Sequence, residues 1–443
     1  MKNIFLKTVA FMLAGIMLLG FTACNDRGLP SVNGGDDESG TRGADMPDNG
    51  ENLLSRSTDL MEGVSCKTVN SRPADDRFIK SQAEFALALF KESMKDGVNS
   101  LVSPLSVTLA LAMTANGADG ETLAEMEKLL GGDIPIDELN EYLHTYVSRL
   151  PSDEKAKLNI ANSIWFKDDE DSLVVNKDFL QRNADYYGAS AYKSPFDDST
   201  VGDINGWVDE NTDGMIKKLL DNIPEEAVMY LINAICFDAE WSNPFTERDI
   251  RPDDFHGVSG TVKVDMMNST EHRFVSDENA RGFIKYYTNG YSFMAVLPNE
   301  GIGLSDYIRG LDGDGLVRLY KRSESVSVSV TIPKFKYEYT TSLNDPLKKL
   351  GMREAFEGGF SRMGECKDGP LCVSSVLHKT FIEVDNAGTR AAAVSAVIMA
   401  PTSANPEYVR VERVKLDRPF LYAIVDNATG LPIFIGTVND IEG

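Results

Sequence analysis

Histidine is scarce in this chain: four residues in 443, at 144, 256, 272 and 378, with no two close together. The five cysteines, at 24, 66, 236, 366 and 372, form no CxxC pair. A structural zinc site draws on such pairs or on clustered histidines, so neither metal nor cofactor is expected. No GxSxG, HExxH, P-loop or GxGxxG motif occurs. The DGDG run at 312–315 lacks the closing glutamate of a calcium loop and reads as a plain turn. These absences argue against an enzyme. Basic residues are also few, 44 Lys and Arg against 68 Asp and Glu, for a net charge of −24. Such a surface repels phosphate backbones and excludes a nucleic-acid partner.

The N-terminus carries an address. Lys2 and Lys7 precede an apolar run, Val9 to Phe21, that ends in FTAC. That is the charged head and short hydrophobic stretch of a signal peptide, too short for a membrane span. Ala23 followed by Cys24 resembles a bacterial lipoprotein cleavage site, with Cys24 becoming the lipidated end; an ordinary secretory signal is the plainer alternative. Residues 25–72 are rich in Gly, Asp, Ser, Asn and Pro with no visible period, and read as a flexible tether. The expectation is an exported monomer, lipid-anchored to the bacterial cell envelope on its periplasmic or outer face, with no other membrane contact.

A folded domain is expected over 73–443. FIKSQAEFALALFKESMKD has helical apolar spacing, and Ser103 and Pro104 begin a second helix as N-cap and first turn. GETLAEMEKLLG reads as a third helix, closed by Gly131. KLNIANSIWFK and AVMYLINAICFDAEW read as buried strands, with Cys236 a buried thiol in the second. SVSVSVTIPKFKYEY alternates strictly and reads as a single strand with one wet face. RPFLYAIVDNATGLPIFIGTVND reads as a hairpin about NATG. Helices lead and strands follow, which is α+β. CKDGPLC (366–372) is either a small disulfide loop or two reduced thiols.

One segment fits none of these elements. From Thr389 the alternate residues are Thr389, Ala391, Ala393, Ser395 and Val397, all small or β-branched. Such a face can slide into a sheet already packed to crystal density. About 14 residues at ~3.3 Å each extend to ~46 Å. That nearly crosses a compact domain of about 370 residues, roughly 50 Å wide. The segment is therefore either a loop able to become a strand or a merely tolerant exposed loop.

GTRAAAVSA resembles the hinge of the reactive-centre loop of serpins. SPLSV, LINAICFDAEWSNPF, VKVDMM, FMAVLPNEG, IPKF, DRPFLYAI and GLPIFIGTVND resemble further serpin blocks in serpin order, across almost all of 73–443. The resemblance implies helices around a large central β-sheet, smaller sheets and an exposed reactive-centre loop. It implies a suicide-substrate inhibitor: a protease attacks the loop, an acyl-enzyme forms, and the cut loop inserts into the central sheet, distorting the protease before the ester hydrolyses. Its alternative within the family is a non-inhibitory binding protein, against which Thr389, Ala391, Ala393 and Ser395 argue.

Carried over residue by residue, the resemblance assigns the hinge to Gly388, Thr389, Ala391, Ala392, Ala393 and Ser395. It assigns a buried shutter cluster to Ser106, Asn233 and His378, and the top of the sheet, where insertion begins, to Trp241. The reactive bond falls at Thr402–Ser403, or after Met399 or Ala400 because the loop is several residues long for the family. No Arg or Lys lies between Ala391 and Arg410, so an elastase- or subtilisin-like protease, or a cysteine protease, is expected in place of a trypsin-like one. Arg390 stands where the family often has an acid. Asn386 stands where it usually has glutamate, which weakens an expected hinge salt bridge to Lys334.

Overall fold

The computed structural model describes residues 55–168, 172–367, 369–389 and 410–442. Among the described residues, six helices lie in the first half: α1 (Asp76–Ser93), α2 (Pro104–Ala115), α3 (Gly120–Gly131), α4 (Ile136–Arg149), α5 (Lys177–Tyr187) and α6 (Asp198–Asn211). Ser103 caps α2, its hydroxyl accepting from the Ser106 amide, with Pro104 in the first turn. Gly131 is the last helical residue of α3. The left-handed turn that ends the helix falls one residue later than expected, at Gly132, with φ +67°.

The central sheet has seven strands: β1 (Thr58–Asp59), β2 (Ala156–Lys167), β3 (Ser190–Ser194), β4 (Met229–Glu240), β5 (Phe335–Ser342), β6 (Ser375–Val384) and β7 (Gly388–Thr389). Their order is β1-β3-β2-β4-β7-β6-β5, and β4 also pairs β6 directly. The sheet is covered on both faces. Met229, Leu231, Ile235 and Phe237 of β4 join the main core around α2, whose every residue is buried. Tyr230, Ile232 and Ala234, alternating with them, join a second core under Ile204 and Trp207 of α6. Two covered faces explain why β4 reads as an unbroken apolar run.

A six-stranded sheet contains the C-terminal hairpin, Phe420–Asp426 against Pro432–Val438, as expected. A four-stranded sheet runs Val411–Lys415, Ser327–Pro333, Thr261–Glu271, Ile250–His256. The alternating segment 325–339 is therefore two strands in two sheets. Ser327–Pro333 ends at a residue without an N–H, and Phe335 begins β5.

Residues 55–61, expected within the flexible tether, are instead laid on the folded body. Thr58 and Asp59 pair antiparallel with Lys193 and Tyr192 of β3, and the Leu60 amide bonds Ala191 O at 2.8 Å. Leu60 and Met61 pack against the core, and the Ser57 hydroxyl donates to Asp203 at 2.5 Å. A short apolar pair and a free sheet edge were enough to order a stretch whose composition predicted none. Among the described residues no helix is long and apolar enough to cross a membrane.

Candidate functional site

The candidate site is the seam between β4 and β6. The two strands run parallel and pair from Ser375↔Tyr230 up to His378↔Asn233, where direct pairing ends. Higher up the chain turns at Asp385–Gly388 and comes back down as β7, between them. Gly388 lies opposite Glu240, and Thr389 lies opposite both Ala239 and Val384, antiparallel to each. The lower seam is zipped and the upper seam is wedged.

At the last zipped pair sits a buried polar network on the α2 face. The Ser106 hydroxyl donates to Asn233 Oδ1 at 2.5 Å, and Asn233 Nδ2 donates to Ser106 O at 2.7 Å and to Asn162 Oδ1 at 2.5 Å. His378 Nδ1 lies 3.2 Å from Asn233 Oδ1. The Ser103 backbone N–H donates to His378 Nε2 at 3.0 Å. Nε2 is thus an acceptor, so Nδ1 holds the proton and donates to Asn233. The imidazole is fully buried, and that desolvation alone lowers its pKa from 6.5 to about 4. Every polar group of the Asn233 side chain is satisfied without any charge, which is what a site in a dry core requires. The three residues assigned to the shutter are thus in direct contact. Asn162 and the Ser103 amide complete the network and were missed. Asn162 was visible as one of two amides in the strand NIANSIWF, and Ser103 was read only as a cap.

The upper seam is aromatic. The Trp241 ring stacks on Tyr287 at 4.4 Å and 9°. Its Nε1 donates to Asp385 O at 2.9 Å and its backbone N–H to Ala387 O at 2.8 Å. The Phe245 amide donates to Asn386 O at 2.9 Å. Asp385 Oδ1 accepts from the amides of Ala387 and Gly388 at 2.7 and 3.1 Å, shaping the turn. Thr389 is 2% exposed, its hydroxyl 2.5 Å from the Tyr287 hydroxyl. Gly388 was read as a flexible hinge, but its physical role here is close approach: a Cβ would stand 2.0 Å from Ala239 O. Asn386 carries no charge with which to pair Lys334, the expected partner of the weakened hinge salt bridge. Lys334 lies 3.8 Å from Asp265, while the buried cation near Trp241 is Lys285, paired with Glu271. Cys24, Arg390, Ala391, Ala392, Ala393, Ser395, Met399, Ala400, Thr402 and Ser403 lie outside the described residues.

Cys236 is buried, its thiol 3.5 Å from Met215 Sδ, and Cys366 and Cys372 are thiols not joined to each other. Asp312 and Asp314 of the DGDG turn pair with Arg318. Among the described residues no group of three or more His, Cys, Asp or Glu is placed to hold a metal.

Residues 80–441 match the family model Serpin (serine protease inhibitor). The chain belongs to the serpin family. It is 31% identical over 381 residues to Iripin-2 of Ixodes ricinus, covering 82% of this chain and 94% of that one. A serpin-like protein of Thermococcus kodakarensis is 29% identical over 364 residues, covering 80% and 83%. Among solved structures, the thermophilic serpin tengpin in its native state is 49% identical with a TM-score of 0.83, covering 87% of this chain and 100% of that one. Tengpin in its latent state gives 0.74 at 48% identity, with 84% and 100% covered. Human thyroxine-binding globulin, at 24% identity and TM-score 0.73 over 83% and 99%, shares the fold. Serpins are generally protease inhibitors that act on target proteases and are not themselves catalysts, and this serpin has their helices, large mixed sheet and smaller sheets.

Proposed function

We propose that this serpin is an irreversible suicide-substrate inhibitor whose cleaved loop enters the seam between β4 and β6. The observation that carries the reading is Thr389, already seated as a strand residue between Ala239 and Val384 and buried there. The residues that follow on the same face, Ala391, Ala393 and Ser395, are small. A cut anywhere near Thr402–Ser403 leaves a strand long enough to fill the rest of the seam. The acyl ester is then carried away from the aqueous approach that would hydrolyse it. The victim supplies the nucleophile, and this chain supplies bait, sheet and stored free energy. Targets with small or medium apolar S1 pockets, elastase-like or subtilisin-like serine proteases, fit a loop with no cation between Ala391 and Arg410.

The test is to mix the full chain with neutrophil-type elastase, subtilisin, trypsin and papain, run denaturing gels and weigh the released C-terminal peptide. A boiling-resistant complex with elastase or subtilisin, and a peptide beginning at Ser403, is the expected result. Clean cleavage without complex across the panel rejects the reading in favour of a non-inhibitory serpin. The same proposal places the protein on the cell envelope through a lipid at Cys24. Palmitate labelling of expressing cells, lost in Cys24→Ala, is the corresponding check.

A further inference from the structure

Lys285 is the one cation among the largest fully buried side chains of the described residues, with its side chain 1% exposed. A lysine is rarely buried unless its charge is met. It lies on the Ala280–Tyr286 strand, two residues before Tyr287, which touches Thr389. Its Nζ donates to Glu271 Oε1 at 2.8 Å and to Asn243 O at 3.0 Å. The ammonium lies 4.4 Å from the Phe245 ring centroid and 5.4 Å from that of Trp241. Glu271 closes the Thr261–Glu271 strand and takes a second bond from the Ser269 hydroxyl at 2.6 Å.

All of these contacts to Lys285 except Glu271 come from one short segment, 241–245. That segment also makes the three bonds that hold the turn 385–387: from the Trp241 amide, the Trp241 indole and the Phe245 amide. Without Lys285, Asn243 O loses a charged donor and the two rings lose the cation between them. The segment would then keep the Ser242 amide and hydroxyl bonds to Tyr286 O and Tyr287 O at 3.0 and 2.6 Å and the Trp241 stack on Tyr287, but on its Asn243–Phe245 side only the Phe245 amide bond to the turn itself.

We infer that Lys285 and Glu271 form a positioning pair that locks segment 241–245 over the root of the loop, so that Gly388 and Thr389 are seated and the seam below them stays shut until the loop is cut. The inference rests on the insertion reading above and adds what regulates it. Among the described residues Lys285 is bonded to neither Gly388 nor Thr389; it acts through Trp241, Asn243 and Phe245.

The probe is a synthetic peptide with the sequence of residues 389–402, offered to the full chain, with annealing followed on native gels. Wild type is expected to take it up slowly. Lys285→Met and the isosteric Glu271→Gln are expected to anneal it about tenfold faster or more, since removing one member of a buried pair leaves the other uncompensated. Lys285→Arg keeps the charge and is expected to stay near the wild-type rate. In Lys285→Met/Glu271→Leu no charge is left unpaired, so the denaturation midpoint is expected to return to wild type while annealing stays fast. A double variant that recovers both stability and slow annealing overturns the proposal, because the pair would then be structural only. Equal rates in wild type and Glu271→Gln overturn it as well. A wild type that never takes the peptide, even after prolonged incubation, rejects the insertion reading itself and the lock with it.

Discussion

The two ends of the seam are built from opposite materials. The lower end, at His378↔Asn233, is a neutral network of hydroxyl, amide and imidazole with all its bonds made inside the protein. The upper end holds a buried ion pair and stacked aromatic rings around a turn. A neutral network has one satisfied geometry and resists small displacement. A charge between ring faces tolerates sliding but exacts a large penalty if either partner goes. On the proposed insertion reading, the lower end would set whether the strands part at all, and the upper end where a new strand begins.

The sharpest way to break this division is Thr389→Arg. A guanidinium cannot occupy a 2% exposed site against the Tyr287 hydroxyl. Protease complex on denaturing gels is expected to fall by about tenfold or more in favour of cleaved chain, with any loss of stability confined to the upper end because the lower seam is untouched. Full trapping by this variant would end the insertion argument. Ala391→Pro is expected to give the same conversion to substrate.

Next in size, Asn233→Ala strips partners from Ser106, Asn162 and His378 at once. At ~1–3 kcal/mol for each buried polar group left unmade, a loss of about 3 kcal/mol or more is expected in denaturant unfolding. A loss well below that would mean the network is not what closes the lower seam.

The third prediction separates the ends by pH. The unfolded chain takes a proton on His378 near pH 6.5, the folded chain only near pH 4. The folded pKa is lowered, so this group costs nothing above pH 6.5 and removes stability as pH falls from 6.5 to 4. The cost reaches about 3 kcal/mol and then levels off. Denaturation midpoints across that window should flatten in His378→Gln relative to wild type. An unchanged slope would show that the imidazole is not held neutral.

The smallest effect is expected from Gly388→Ala. Its Cβ would stand 2.0 Å from the backbone Ala239 O, so β7 must shift, an overpacking cost of about 1–3 kcal/mol confined to the upper end. Faster hydrogen exchange at the Trp241 amide, which bonds Ala387 O, with the His378 surroundings unaffected, is the readout.

Much of this was legible in residue order. The apolar run of β4 and the C-terminal hairpin follow from pattern alone, and the family blocks pointed to Ser106, Asn233 and His378. What stayed hidden was whatever depends on the third dimension. The alternation of 325–339 carries no mark of a change of sheet except Pro333, which ends one strand because it cannot donate to the next ladder bond. Lys285 stood in plain view within GFIKYY, yet periodicity cannot say that Glu271, fourteen residues earlier, reaches the same pocket. Residues 55–61 look disordered by composition because composition does not register an open sheet edge at β3.

The two pairings of Thr389 also act as a ruler. Continued at that register, each further residue of the loop steps one place back along both β4 and β6. Six residues beyond Thr389 is Ser395, and six back from Ala239 and Val384 are Asn233 and His378. If the cut loop inserts as proposed, Ser395 is the residue that would arrive between the amide and the imidazole, at the point where they now touch each other. Along the face that begins at Thr389 it is the next hydroxyl, two alanines intervening. An advancing strand would bring its own replacement donor to the contact it must break, and the exchange of partners would be complete within a single residue's travel.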